Sequence, residues 1–239
     1  MKKLVISLLL LWSAGLHAAN DFPPSFTAKY TLYAKGISVG EGTRTLTVQK
    51  DGTFLLESVG KTTGWVAWFK KIRIEERSKF TQQNGKIRPL EYTYYQTGKK
   101  TRYSHLSFHW YKNTATSTYK GETKEIKLEE GTLDRLLYQV VLMQELKQGK
   151  RQLEYKIANK GKISVYRPIM KNWERIETGI GELSTLKYER VSSNNERRTT
   201  LWCAPKLHYL PVQVEHVEKG EVFRLVLQSV DGLSPTYWE

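Results

Sequence analysis

Residues 26–33 read Phe-Thr-Ala-Lys-Tyr-Thr-Leu-Tyr, and residues 45–49 read Thr-Leu-Thr-Val-Gln. In the first run Phe26, Ala28, Tyr30 and Leu32 alternate with Thr27, Lys29, Thr31 and Tyr33; in the second, Leu46 and Val48 alternate with Thr45, Thr47 and Gln49. Successive side chains of an extended chain point to opposite faces, so this alternation puts one face on a core and the other in water. Half-buried strands of this kind belong to antiparallel sheets. Turn signals punctuate the rest of the chain. Asp51-Gly52 and Asn84-Gly85 tolerate positive φ, Gly98, Gly121, Lys160-Gly161 and Lys219-Gly220 mark further reversals, and polar Ser192–Asn195 precedes a strand over Arg197–Trp202. A dozen or more short strands are the pattern of a sandwich, barrel or curled meander.

One stretch keeps a different period. From Thr132 to Gln148 the apolar residues Leu133, Leu136, Leu137, Val140, Val141 and Leu146 recur at helical spacing. Thr132 suits the N-cap, Asp134 the positive end of the dipole, and Gly149 the stop beside Lys147 and Lys150. The expected fold is mainly β: a curled antiparallel sheet forming a barrel-like or half-open barrel or sandwich. One amphipathic α-helix packs on it or plugs its open end. No linker or repeat divides the chain, so residues 19–239 are expected to form a single domain.

Met1-Lys2-Lys3 opens the chain with positive charge, Leu4–Trp12 is unbroken apolar sequence, and small residues lead to Leu16-His17-Ala18-Ala19-Asn20. This order is that of a secretory signal peptide, residues 1–18, with cleavage after Ala18 or Ala19. The apolar run is shorter than the roughly 20 residues a spanning helix needs, and no integral membrane span is expected after cleavage. A lipoprotein needs a cysteine directly after the cut, whereas the one cysteine is Cys203. The expected product is a freely soluble periplasmic protein, not a lipoprotein, without an internal disulfide. Cys203, at an apolar strand end, reads as a small buried core residue.

The formal charge of +14 falls to +12 when Lys2 and Lys3 leave with the leader. Lysines and arginines spread along the whole chain favour anionic partners such as lipid headgroups or an envelope glycan. Nucleic acid is excluded as a partner by the compartment and by the lack of a recognition motif. Charges such as Lys29, Arg44 and Glu57 interrupt the strand runs and leave no clean apolar outer band for a membrane barrel.

Residues that carry chemistry are few. His105 and His109 lie on a strand, where positions four apart are separated by about 13 Å, too far to share a metal ion. Glu75 and Glu76, being sequence neighbours on a strand, point to opposite faces and read as solvated charges. There is no nucleophile elbow, phosphate loop or Cys-x-x-Cys. Neither catalysis nor a cofactor is expected. The most suggestive stretch is Thr62–Lys71, in which Trp65, Trp68 and Phe69 follow Gly64 and run into Lys70, Lys71 and Arg73. Either these aromatics fill the core where a loop crosses the barrel end, or they form a membrane-interface or amphiphile-binding edge with cations for an anionic head. Tyr92, Tyr94, Tyr95, Lys99, Lys100, Arg102 and Tyr103 form a second aromatic and basic concentration.

Five segments stand out together: Tyr30 with Gly36-Ile37-Ser38-Val39-Gly40, Ser58–Phe69 with its Gly64-Trp65, Pro89-Leu90-Glu91-Tyr92, Leu201-Trp202-Cys203-Ala204-Pro205 and Tyr209-Leu210-Pro211-Val212. With these the chain resembles a family of exported Gram-negative proteins, the domain of unknown function 3108 family. The resemblance implies a mostly β envelope protein with a curled sheet and a helix, and it implies no reaction or ligand. Thr132–Leu136 fits the family's aspartate-bearing helix start only loosely. The expected function is non-catalytic binding of a lipidic or amphiphilic envelope molecule. The alternative is a scaffold or interaction protein in envelope assembly or maintenance.

Overall fold

The computed structural model describes residues 22–69, 71–83, 85–98, 100–192 and 196–234. The leader with both cleavage positions, Lys70, Asn84, Lys99 and Ser193–Asn195 lie outside them. The strands are β1 Phe26–Ala34, β2 Ile37–Val48, β3 Phe54–Thr62, β4 Arg73–Gln83, β5 Lys86–Thr97, β6 Arg102–His109, β7 Thr114–Tyr119 and β8 Glu122–Lys127. They continue with β9 Leu133–Asp134, β10 Tyr155–Asn159, β11 Lys162–Tyr166, β12 Ile169–Thr178, β13 Gly181–Val191, β14 Arg197–Ala204, β15 Leu210–Glu218 and β16 Glu221–Asp231. Two α-helices lie among the described residues, α1 Gly64–Phe69 and α2 Tyr138–Lys147.

Thirteen strands form one antiparallel sheet in the order β12-β13-β14-β15-β16-β1-β2-β3-β4-β5-β6-β7-β8. Two meanders, β1–β8 and β12–β16, are joined where β1 pairs with β16, from Thr27 opposite Asp231 to Ala34 opposite Phe223. The sheet curls without closing: β8 and β12 are its edges. Its concave face carries one side of the alternation seen in the sequence. Ala28, Tyr30, Leu46, Leu56, Phe80, Tyr92, Leu106, Tyr188, Leu201 and Leu227 are all buried. A second sheet of three strands, β11-β10-β9, lies inside the curl, with the Gly161 N–H at the β10–β11 turn donating to Ser117 Oγ on β7.

Two prolines sit in strands where a donor can be spared. Pro89 faces Phe80 beside a bulge at Leu90 of β5, and Pro211 faces Cys203 beside a bulge at Val212 of β15. Proline cannot donate to the ladder, so bulges are where sheets accept it. Pro211 keeps its carbonyl, which accepts the Tyr30 hydroxyl at 3.0 Å.

The helix begins later than its periodicity suggests. Leu133 and Asp134 form β9, parallel to Ile157 and Ala158 of β10, and a turn over 135–137 precedes α2. Thr132 does not cap the helix; its hydroxyl donates to the carbonyl of Glu129 at 2.7 Å. Asp134 caps the turn instead, its Oδ1 accepting the N–H groups of Leu136 and Leu137, both at 2.8 Å. Gly149, at φ 79°, ends the helix as expected. Tyr138, Val140, Leu142, Met143 and Leu146 are buried, each such side chain contributing roughly 1.5–3 kcal/mol through the apolar area it removes from water. The last turns of α2 lie beside the Gly85–Arg88 hairpin. Phe22, Phe54 and Phe80 pack together near that end of the curl, with centroids 4.9 Å and 5.3 Å apart along the chain of contacts. That end is therefore plugged.

Candidate functional site

The opposite end is open. Antiparallel order places the β1–β2, β3–β4, β5–β6, β7–β8 and β15–β16 connections there together. On β2 the concave-side residues Arg44 and Leu46 are buried, as is Leu56 on β3. Beyond Arg44 toward the open end, inward-facing Gly60, Ile74, Val214 and Leu225 are only half-buried, as is Tyr94 at the level of Arg44, and Phe223 is 38% exposed. A Cβ added at Gly60 would meet nothing within 4 Å. Cover on the concave face therefore thins past Tyr30 and its partner Gly42, which are still buried, and the side chains nearer the rim are only partly covered.

α1 stands at this open end, at the tip of the β3–β4 hairpin. It is anchored through its flanks, with the Thr63 N–H donating to Val39 O at 3.1 Å and the Thr62 N–H donating to Ile72 O at 3.0 Å. The helix itself buries no residue. Trp65, Trp68 and Phe69 are 63%, 88% and 80% exposed, so they do not fill the core. Their neighbouring cations are dispersed. Lys71 is exposed, and Lys70 lies outside the described residues. Arg73 turns to the convex face, where it pairs with Glu75 at 2.5 Å and lies opposite Lys61. The expected cluster thus keeps its aromatic part and loses Arg73.

The second aromatic concentration is divided by the sheet. Tyr92 is buried, whereas Tyr95 and Tyr103 are paired across β5 and β6 on the convex face and exposed. Near them Lys100, Arg102, Tyr103, Tyr119 and Lys120 line a depression of about 290 Å³. His105 on β6 donates from Nε2 to the Glu91 carboxylate of β5 at 2.8 Å, and His109 on β6 meets the Thr116 hydroxyl of β7 at 3.3 Å. Cys203 is fully buried, and burial pushes its thiol well above the ordinary range.

A layer of polar side chains that the sequence pattern did not single out crosses the concave face where the core ends. Glu76 is not a solvated charge: its side chain is 15% exposed, it pairs with Arg135 at 3.1 Å, and it accepts the Tyr92 hydroxyl at 2.6 Å. Asp134 is fully buried and accepts Ser78 Oγ at 2.5 Å. Burial outweighs its three donors and lifts its carboxyl to about 6. Arg44 Nη1 donates to Gln139 Oε1 at 2.5 Å. Arg190 lies over the Tyr166 ring at 3.9 Å and donates to Thr199 at 3.1 Å. The Nε atoms of both Arg44 and Arg190 are sealed from solvent with no partner among the described residues. An orphaned buried donor costs about 1–3 kcal/mol, so the layer holds unspent hydrogen-bonding capacity. Tyr138, packed edge-on against Tyr166 at 5.4 Å, is raised to about 12 by burial, with Arg190, Arg44 and Arg135 opposing. The one hint in the sequence was Arg44 standing on the apolar side of an alternating strand.

The family profile described as a protein of unknown function, DUF3108, matches residues 29–227. The chain belongs to the DUF3108 family. This DUF3108 protein is similar in fold to the crystal structure of a beta-barrel-like protein of domain of unknown function DUF1849 from Brucella abortus. That match has a TM-score of 0.55 and 7% identity over 87% of this chain and 98% of the other. MucB in complex with MucA(peri) matches with a TM-score of 0.18, 9% identity and coverage of 91% and 95%. The MucA/MucB complex of Pseudomonas aeruginosa matches at 0.18, with 7% identity and coverage of 90% and 95%; at that score neither supports an inference. The search of curated proteins found no match. In this DUF3108 protein the Tyr209–Val212 segment serves the fold: Tyr209 takes φ 60°, Leu210 and Val212 are buried, and Pro211 holds Tyr30.

Proposed function

We propose that this DUF3108 protein is a non-catalytic, periplasmic binding protein for a lipidic or amphiphilic molecule of the cell envelope, exported through its signal peptide. The observation that supports this most is α1, whose Trp65, Trp68 and Phe69 face solvent at the open end of a concave sheet. Monomeric soluble proteins rarely keep large apolar side chains grouped in water without a partner for them. Trp beside Lys suits the boundary between an apolar phase and an anionic head. The half-buried apolar wall below the helix offers a continuation for an acyl chain.

Native mass spectrometry of the protein purified gently from the periplasm, with organic extraction of what it carries, tests the reading. Wild type is expected to retain an amphiphile stoichiometrically. Trp65→Ala/Trp68→Ala is expected to lose most of it while its unfolding free energy changes by less than about 0.5 kcal/mol, as for exposed positions. Equal retention by both proteins sinks the assignment of these residues; a clean apo mass for wild type, confirmed under conditions that preserve weak complexes, sinks the carrier reading.

A further inference from the structure

The concave polar layer carries a charge imbalance with a direction. Three guanidinium groups meet there around the start of α2: Arg44 at Gln139, Arg190 on the Tyr166 ring that abuts Tyr138, and Arg135 one turn earlier. The carboxylates of the layer are committed on the β4–β5 side. Glu76 serves Arg135 and Tyr92, and Asp134 serves Ser78 and two backbone N–H groups. Neither Arg44 nor Arg190 has a carboxylate within 4.0 Å among the described residues. Arg44 is only 8% exposed, and a buried charge without a counter-charge is costly enough to point to a missing anion. Glu218 is the nearest acid by connection to Arg190, and it reaches only through His216, which shares Thr199 with Arg190.

We propose that Arg44 and Arg190, with Arg135 beside them, form the floor of an oxyanion site that takes a phosphate head. The head belongs to an amphiphile that enters the concave face from the α1 end, and in that respect the inference rests on the function proposed above. Arginine's planar fork matches phosphate oxygens, and each uncompensated guanidinium supplies one charge to a dianionic monoester. The space above the floor is open at Gly60. Between the floor and α1 the wall is apolar, with Leu32, Ile74 and Leu225 half-buried. Arg44 stands seven residues from Ile37 at the rim, about 23 Å along an extended strand, which is room for an acyl chain. Arg135, which pairs with Glu76 in the same layer, keeps 37% of its side-chain surface exposed, so the layer is in contact with solvent.

Calorimetric titration of the mature protein with three probes tests this: inorganic phosphate, dodecyl phosphate, and uncharged dodecyl maltoside, the last two below their micelle concentrations. Dodecyl phosphate is expected to bind at least tenfold more tightly than either of the others. Arg44→Gln and Arg190→Gln are each expected to weaken it at least tenfold while leaving the response to dodecyl maltoside unchanged. Arg190 is half-buried and tests the site even if the Arg44 variant does not fold. As a separate readout, Arg44→Met is expected to melt higher than wild type without ligand and to gain nothing from dodecyl phosphate, which raises the wild-type Tm by linkage. Inorganic phosphate bound as tightly as dodecyl phosphate, and lost in both variants, upholds the anion site but overturns the amphiphile reading. Dodecyl maltoside bound as tightly as dodecyl phosphate, with both variants indifferent, leaves the amphiphile reading standing and overturns the anion site. Absence of binding to either phosphate probe overturns it as well.

Discussion

Glu75 and Glu76 show how much one step along a strand decides. Glu75 points outward to Arg73, while Glu76 points inward to Tyr92 and Arg135, as period two requires. What the pattern could not show is that the inward one meets an arginine from a distant turn. Asp134 is the sharper case, because its burial makes folding depend on pH. In the unfolded chain its carboxyl titrates near 3.9, and in the fold near 6. A raised folded value means the native state holds the proton longer, so this group's contribution to stability falls as pH rises from about 4 to 6 and stays lost above it. Asp134→Asn keeps an acceptor for the two N–H groups and cannot ionise. The stability of that variant relative to wild type is therefore expected to grow by about 2 kcal/mol between pH 4 and pH 7, a full shift counting about 1.36 kcal/mol per unit. Denaturant titrations at several pH values measure it; a difference that stays flat over that range rejects the assignment.

Among the elements, α1 and the β5–β6 turn behave as one unit. Gly98 has φ 113°, and a Cβ there would sit 2.4 Å from the carbonyl oxygen of Lys71 and 3.0 Å from Ile72 Cα. The turn thus lies directly against the chain leaving α1. Gly98→Ala is expected to cost about 2–3 kcal/mol, from a strained left-handed residue and a backbone clash together. It should also weaken amphiphile retention by displacing the aromatic tip. A variant as stable as wild type in thermal melts would falsify the close approach. At the helix, the apolar stripe from Leu133 onward was legible, but its division between β9 and α2 was not. Leu133 is buried against β10 and Leu142 against the sheet, so one helical-looking period serves two structures. The N-terminal boundary is decided by the parallel pairing of Leu133 with Ile157, a contact between residues far apart in sequence.

Across the whole molecule the sheet is closed by packing at one end and only partly covered at the other. Protection of backbone hydrogens should follow that division. Exchange at Leu46 and Leu56, in the plugged half, is expected to proceed only by global unfolding, and exchange at Gly42 and Gly60 by cheaper local opening. Adding dodecyl phosphate should slow the second pair and leave the first unchanged. Uniform protection along β2 and β3 would mean that the open half is as rigid as the core and is not a site of entry. Among the described residues no helix is long and apolar enough to cross a membrane.

The alternation of Phe26–Tyr33 and its repeats, the glycine turns and the two proline motifs were enough to establish a curled antiparallel sheet with one helix and membership of the DUF3108 family. Those signals are local: they depend on side-chain period and allowed φ, which each stretch carries by itself. Which aromatics stay in water, where the helix starts, and that Arg44, Arg135 and Arg190 meet without enough carboxylates to balance them came only from the tertiary structure. Burial and charge balance are properties of neighbours, and here the neighbours come from β2, β13 and the start of α2, brought together by the curl of the sheet.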